Sequence, residues 1–153
     1  MIALLQRVSN ASVTVAGERV AEIATGLLVF IGVEAGDERQ QAQRLLERFT
    51  TYRVFPDDAG RMNRSVIDIG GGLLLVPQFT LAADTQKGTR ASFSSAATPD
   101  AGRALFDCLV ELASALPVTV ASGVFGADMK VALVNDGPVT FLLRVPPPLR
   151  RMA

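Results

Sequence analysis

The chain has 153 residues, 49% of them apolar and 20% charged, and its formal net charge is zero. That profile predicts one soluble globular domain with a substantial core, and it excludes a general nucleic-acid coat while allowing local basic patches. Histidine is absent and Cys108 is the single cysteine, so His-based nucleophile pairs, zinc sites of His and Cys, and an internal disulfide are excluded.

Enzyme chemistry, if present, must therefore rest on carboxylates, hydroxyls, backbone amides or groups brought by the substrate. No metal and no cofactor are expected. No apolar run approaches the ~18 residues needed to span a membrane. Met1 to Leu5 runs into Gln6-Arg7 and lacks the pattern of a signal peptide. A reducing, cytoplasmic location is expected.

In chain order, Ile2 to Val8 reads as a buried strand. Ser12 to Val15 alternates and, with a turn at Ala16-Gly17-Glu18, makes a hairpin with Arg19 to Ala24. Leu27 to Val33 is a continuous apolar run, read as a central strand covered on both faces. Asp37 with Gln40 three residues on reads as a capping box. Ala42, Leu45, Leu46 and Phe49 then give one helix face. A short strand is expected at Arg53 to Phe55, a turn at 56–60 and a loop at Arg61 to Arg64.

Leu73 to Val76 is a second buried strand. Pro77 lacks an amide hydrogen, so the ladder should break or lie at an edge there. Residues 82–97 form a long loop with Lys87, Arg90 and Phe93, of a length that is usually functional or mobile. Thr98-Pro99-Asp100 starts a second helix with a hydroxyl cap, a proline and an acid. Ala101, Leu105, Cys108, Leu109 and Leu112 are expected to carry its apolar face, with Cys108 as core packing. Strands follow at Val118 to Val120 and Met129 to Val134.

Asn135-Asp136-Gly137-Pro138-Val139-Thr140 then separates two apolar runs. Asp-Gly and Gly-Pro favour a tight connection between strands. A cis Gly137–Pro138 bond is the other reading, with a glycine that presents bare backbone to a ligand or partner chain. Pro146 to Pro148 stops the last strand, and residues 149–153 read as a loose basic tail. Two sheet faces need cover and two helices are available, so a second sheet or a second subunit is expected to supply the rest.

Gln78-Phe79-Thr80-Leu81 and the 135–140 stretch together resemble the D-aminoacyl-tRNA deacylases. Gln6-Arg7-Val8, Ala11-Ser12-Val13, Gly26 to Val29 and Ala127-Asp128-Met129 extend the resemblance to residues 1–145, leaving 146–153 as a Pro- and Arg-rich tail. It implies a homodimeric, β-rich α/β domain with antiparallel and mixed sheets and two main helices packed on one face. It also implies hydrolysis of the ester joining a D-amino acid to the tRNA 3′ end, including glycine mischarged on tRNA-Ala. The partners are then tRNA and a second copy of the chain, with no membrane and no DNA.

In this family the Gly-Pro bond is cis and enters the neighbouring subunit's site, where it leaves L side chains no room. Gly137 and Pro138 match that element, and Arg7 matches the arginine that braces it. Gln78, Phe79 and Thr80 match the catalytic pocket, and Met129 lies in a matching stretch beside it. One position departs: Pro77 stands where the family usually carries serine, so a hydroxyl and a backbone donor are absent.

Ester hydrolysis needs orientation, a water and donors for a tetrahedral oxyanion. The amides of Phe79 and Thr80 are candidate donors, and the tRNA 2′-hydroxyl is a candidate proton relay. Thr80 as nucleophile is the alternative, and it has no base near it in sequence. Arg53, Arg61, Arg64, Lys87, Arg90 and Lys130 are candidate phosphate contacts, against the reading of each as ordinary solvated surface. A non-catalytic RNA-end or small-ligand binding module is the rival from another class.

Overall fold

The first strand does not stop at Val8. In the structure, a computed structural model that describes residues 1–149, β1 runs without a break over Ile2–Val15. β2 (Glu18–Ile23) and β3 (Gly26–Gly32) follow, then α1 (Arg39–Thr51), a small ribbon of β4 (Phe55–Pro56) and β5 (Met62–Arg64), and β6 (Gly72–Pro77). A 3-10 turn at Phe79–Ala82 leads through a long loop to α2 (Pro99–Ser114), β7 (Thr119–Ser122) and β8 (Met129–Arg144). The basic tail expected at 149–153 lies, from residue 150 on, outside the described residues.

One mixed six-stranded sheet carries the domain, in the order β2-β1-β3-β6-β7 with β8 also on β1. β1 is antiparallel to β2, β3 and β8, whereas β3-β6 and β6-β7 are parallel. Side chains alternate between two apolar clusters. Leu27, Val29 and Ile31 of β3, with Leu73 and Leu75 of β6, face Leu45, Phe49, Phe106 and Leu109 of the two helices. Leu28, Leu74 and Val76 face the other way, against Val8, Val13, Ala21 and Ile23. A strand buried on both faces needs apolar side chains at successive positions, which the continuous run Leu27 to Val33 supplies.

The second cluster answers part of the expectation of a second sheet or a second subunit. Among the described residues no second sheet lies over the face away from the helices, and the six-stranded sheet supplies part of that cover by bending over itself. Ile23 of β2 lies against Gly72 of β6, where an added Cβ would come within 3.0 Å of it, although β2 and β6 are not paired. The same bend brings Met129 and Val131 of β8 onto the cluster.

Other differences are local. Glu38, not Asp37, caps α1, forming a capping box with Gln41. Asp37 is engaged elsewhere: its carboxylate takes the Glu34 amide at 2.7 Å and the Met1 α-ammonium at 2.8 Å. Met62 to Arg64 is a strand rather than a loop, paired with β4. On α2 the buried face is Gly102, Phe106, Leu109 and Ala113, one step round from the expected face, and Ala101 is exposed. Cys108 is half-buried at the edge of that face, with Arg39 Nη1 at 3.2 Å from its sulfur. Thr98 caps α2 as expected, accepting from the Ala101 amide.

Met1, Glu34, Asp37 and Arg144 form an ion cluster that ties the start of β1 to the end of β8. The buried Met1 ammonium also donates to the Val145 carbonyl at 2.6 Å. Burial alone would raise the Glu34 carboxyl, but the Arg144 guanidinium and the Met1 ammonium outweigh it and hold it below its ordinary value. Burial raises the Asp37 carboxyl despite its bond to the ammonium.

The signs differ accordingly. The stability from Glu34 is present above its unfolded pKa of about 4.3 and is lost as pH falls through its lower folded value. Asp37 contributes in the opposite direction. Glu34→Gln is expected to cost about 1–3 kcal/mol at neutral pH by leaving charged donors short of a partner, with the share from exposed Arg144 screened by solvent. It should also lose less stability than the parent between neutral pH and about pH 3. Urea midpoints at both pH values check this, and unchanged midpoints would contradict it.

Candidate active site

β6 delivers the Pro77-Gln78-Phe79-Thr80-Leu81 segment. The Gln78 amide donates to the Ile31 carbonyl at 2.7 Å, which places Pro77's missing hydrogen on the opposite side. That side faces past Ser122, the last residue that β7 pairs with β6, so the proline breaks no ladder bond. The chain then tightens into the 3-10 turn, with the Leu81 amide on the Gln78 carbonyl at 3.3 Å. The first amides of such a turn, those of Phe79 and Thr80, have no partner within it. Gln78 Nε2 donates to Thr80 Oγ1 at 2.6 Å, and among the described residues no carboxylate bonds to that hydroxyl.

A cavity of about 440 Å³ opens beside this segment. Val76, Pro77, Gln78 and Phe79 form one wall, and Thr98, Gly102 and Phe106 of the α2 start form another. Phe125, Met129 and Val131 close it. Met129 is held there by the Val124 amide, 3.4 Å from its sulfur, and Arg103 lies over the outer Phe125 ring at 4.9 Å. No ionisable side chain lines the cavity among the described residues. An apolar chamber with an amide and backbone donors at its mouth suits a small organic group bearing one polar end.

Arg7, Gly137 and Pro138 form a second group that does not line this cavity. β8 continues through 135–140 instead of turning back. Both of its halves pair with β1, and the register passes from Val8↔Asn135 to Gln6↔Thr140. Five steps along β8 against two along β1 push 136–139 out as a bulge, which corrects the tight-connection reading. The Asn135 side chain spans the bulge: its Nδ2 donates to Thr140 Oγ1 at 2.8 Å, and its Oδ1 accepts from the Val139 backbone amide at 3.0 Å.

Arg7 Nε donates to the Asp136 carbonyl at 3.0 Å and its Nη1 to the Val54 carbonyl at 2.7 Å, pinning the bulge to the α1–β4 link. The Gly137–Pro138 peptide bond is cis, with Gly137 at φ +134°. Both residues are exposed at the tip.

Within one chain, then, Gln78, Phe79 and Met129 share the cavity wall, with Thr80 bonded to Gln78 and outside the lining. Arg7, Gly137 and Pro138 sit together elsewhere. Asn135 and the Val54 carbonyl support the bulge, and Phe106 and Phe125 build the cavity. None of these four has a role legible in the sequence: Val54, Phe106 and Phe125 act through contacts with distant segments, and Asn135 acts across a bulge that its local turn chemistry does not announce. Of the candidate phosphate contacts, Arg64 is paired with Asp58 and Lys130 with Asp128. Arg53, Arg61, Lys87 and Arg90 are exposed.

The sequence profile of the family described as D-Tyr-tRNA(Tyr) deacylase matches residues 4–144. The chain belongs to that family. It is 66% identical over 148 residues to a D-aminoacyl-tRNA deacylase of Thioalkalivibrio sulfidiphilus, covering 97% of this chain and 99% of that one. A relative of the same name from Alkalilimnicola ehrlichii is 62% identical, with 96% and 98% covered.

Among solved structures, the c-Myc DNA unwinding element binding protein superposes with a TM-score of 0.90 at 35% identity, over 95% of this chain and 99% of that one. A probable eukaryotic D-amino acid tRNA deacylase, at 17% identity and TM-score 0.80 over 93% and 97% of the two chains, shows the same fold. The family's fold is thus the single mixed-sheet domain with two helices described above. No helix among the described residues is long and apolar enough to cross a membrane.

Proposed function

We propose that this chain is a D-aminoacyl-tRNA deacylase that hydrolyses the ester between a D-amino acid, or glycine mischarged on tRNA-Ala, and the tRNA 3′ end. The observation that carries the reading is the cavity beside Gln78 and Phe79, apolar within and free of ionisable side chains. The aminoacyl group occupies the cavity, and its carbonyl lies at the mouth.

Water attacks the carbonyl carbon, and the Phe79 and Thr80 amides stabilise the oxyanion. The carbon–oxygen bond to the ribose then breaks, and a proton returns to the departing 3′ oxygen. With no ionisable group in the cavity lining, the neighbouring 2′-hydroxyl is the relay for that proton. Thr80 is bonded to the Gln78 side-chain amide and has no base as hydrogen-bond partner among the described residues, which disfavours it as nucleophile. Gln78 orients Thr80 and the substrate, and Met129 shapes the wall.

In this proposal the active form is a cytoplasmic homodimer in which Gly137-Pro138 of one subunit, braced by Arg7, enters the other's cavity. The separation of the two residue groups within one chain and the outward bulge favour this. Selectivity is then a clash built against L side chains, while D side chains point away and glycine has none. Residues 1–145 carry the function, and the 146–153 tail lies outside the chemistry.

The likeness to a DNA unwinding element binding protein favours a second reading, a non-catalytic nucleic-acid binding dimer. Incubation of the purified chain with a D-aminoacyl-tRNA separates the two. The first reading requires amino-acid release well above the uncatalysed rate, and release that survives exhaustive chelation, since a histidine-free chain offers the donors of no ordinary catalytic zinc site. Binding without release supports the second reading. Release lost on chelation and restored by a divalent ion would contradict the metal-free mechanism.

A further inference from the structure

Gly123 stands behind the cavity wall and does not line the cavity. It directly follows β7, is buried, and donates its amide to the Leu75 carbonyl at 2.8 Å. Its φ lies outside the positive region that favours glycine, so backbone conformation does not explain the residue. Space does. An added Cβ would fall 2.7 Å from Met129 Sδ, 3.5 Å from Pro77 Cδ and 3.7 Å from Val76 Cγ1. Packed heavy atoms prefer about 3.5–4.0 Å, so the sulfur contact alone is too short.

The groups around that point differ in freedom. The Gly123 backbone is tied to Leu75, the Pro77 ring is rigid, and the branched Val76 is buried on β6. Met129 has an unbranched, flexible side chain, so it is the group that yields. It already lines the cavity, and that open volume is where its side chain can go. The same movement takes the sulfur away from the Val124 amide, its donor at 3.4 Å. Val124 precedes Phe125, whose ring closes the cavity. One glycine thus controls two parts of the wall.

We propose that Gly123 is a positioning residue for deacylation: its bare Cα seats the Met129 sulfur, and the seated sulfur latches the 124–127 loop and fixes the shape of the cavity. The proposal rests on the deacylase reading and adds a residue that touches neither the substrate nor the water.

Gly123→Ala should raise KM for a D-aminoacyl-tRNA about tenfold with kcat little changed, the effect of one misplaced methyl-sized group in an apolar pocket. Met129→Val shortens the side chain and removes the sulfur. It should weaken substrate binding by itself, and Gly123→Ala added to it should cost nothing more. Two independent injuries would multiply instead. The chain has four methionines, so methyl labelling gives four methionine signals, and Met129→Val assigns one of them. Gly123→Ala should move that signal and leave the other three in place.

An unchanged Met129 signal, or an unchanged KM, in a folded Gly123→Ala variant would overturn the proposal. So would the same fold-loss with and without Met129→Val. Unfolding of Gly123→Ala that Met129→Val relieves supports it, whereas unfolding in both backgrounds overturns it, because the need for glycine would then not lie with the sulfur. A shifted Met129 signal in a protein that releases no amino acid keeps the seat for the sulfur and removes the deacylase reading.

Discussion

Gly137→Ala is expected to lower deacylation of a D-aminoacyl-tRNA by about a hundredfold or more while leaving the chain folded. The site gives two reasons. An added Cβ would fall 2.6 Å from Val139 Cγ2, 2.9 Å from the Val139 amide nitrogen and 3.2 Å from Arg7 Nη2. Gly137 also sits at φ +134°, a conformation that side chains rarely adopt. The Val139 amide is fixed by Asn135 and Arg7 by two carbonyls, so the bulge cannot absorb the methyl without moving its tip. The fold survives because the bulge is exposed and the pairing of β8 with β1 continues on both sides of it. Initial rates with circular dichroism as the folding control check this. A folded variant at wild-type rate would show that the tip takes no part in the reaction.

The same variant tests whether the two residue groups meet across subunits. Gly137→Ala keeps an intact cavity, and Gln78→Ala keeps an intact bulge. If the bulge serves the neighbouring cavity, mixing and exchanging the two inactive proteins restores one complete site per heterodimer. That is at most about a quarter of the wild-type rate for random pairing. No recovery in a mixture shown to contain heterodimers would place the two groups' contributions within one chain.

Gly26→Ala is expected to have the largest effect on stability. Gly26 faces Gly72 across the parallel β3–β6 ladder, and an added Cβ would lie 2.0 Å from the Gly72 carbonyl oxygen and 2.7 Å from its carbon and nitrogen. These are backbone atoms at the first pair of the β3–β6 ladder, so no side chain can swing aside. Separating β3 from β6 disturbs both apolar clusters at once, since Leu27 and Leu73 belong to one and Leu28 and Leu74 to the other. A loss of about 3 kcal/mol or more is expected, at or beyond the usual upper range for overpacking. Urea or thermal midpoints measure it, and a midpoint equal to the parent's would mean that the strands are not in this register.

What the sequence made legible was decided by neighbours along the chain. The α2 start was readable because hydroxyl, proline and acid act within one turn. The core faces of β3 and β6 were readable because a run such as Leu27 to Val33 is strand-length and apolar throughout. The α1 cap fell one residue late because the Asp37 carboxylate was taken by the ammonium of Met1, a contact across the fold. Asp136-Gly137-Pro138 carries turn chemistry, yet both flanks pair with β1, and that long-range pairing outweighed the local preference.

Part of the cover for the sheet came from its own bend, which periodicity does not encode. For the site, the Gln78-Phe79-Thr80 and Gly137-Pro138 stretches stood out as motifs. The cavity between Gln78-Phe79 and Phe125, and the Phe79–Phe93 contact, exist only once α2 and the loop before it are placed.

The central claim is that this chain hydrolyses aminoacyl esters by chirality. Its most direct test is the initial rate of deacylation of one tRNA charged with the D- and the L-form of the same amino acid, with glycyl-tRNA-Ala alongside. The account predicts rapid release of the D-amino acid and of glycine, and release of the L-amino acid at no more than the uncatalysed rate. Equal rates on the D- and L-esters would contradict it, as would a folded protein that releases neither.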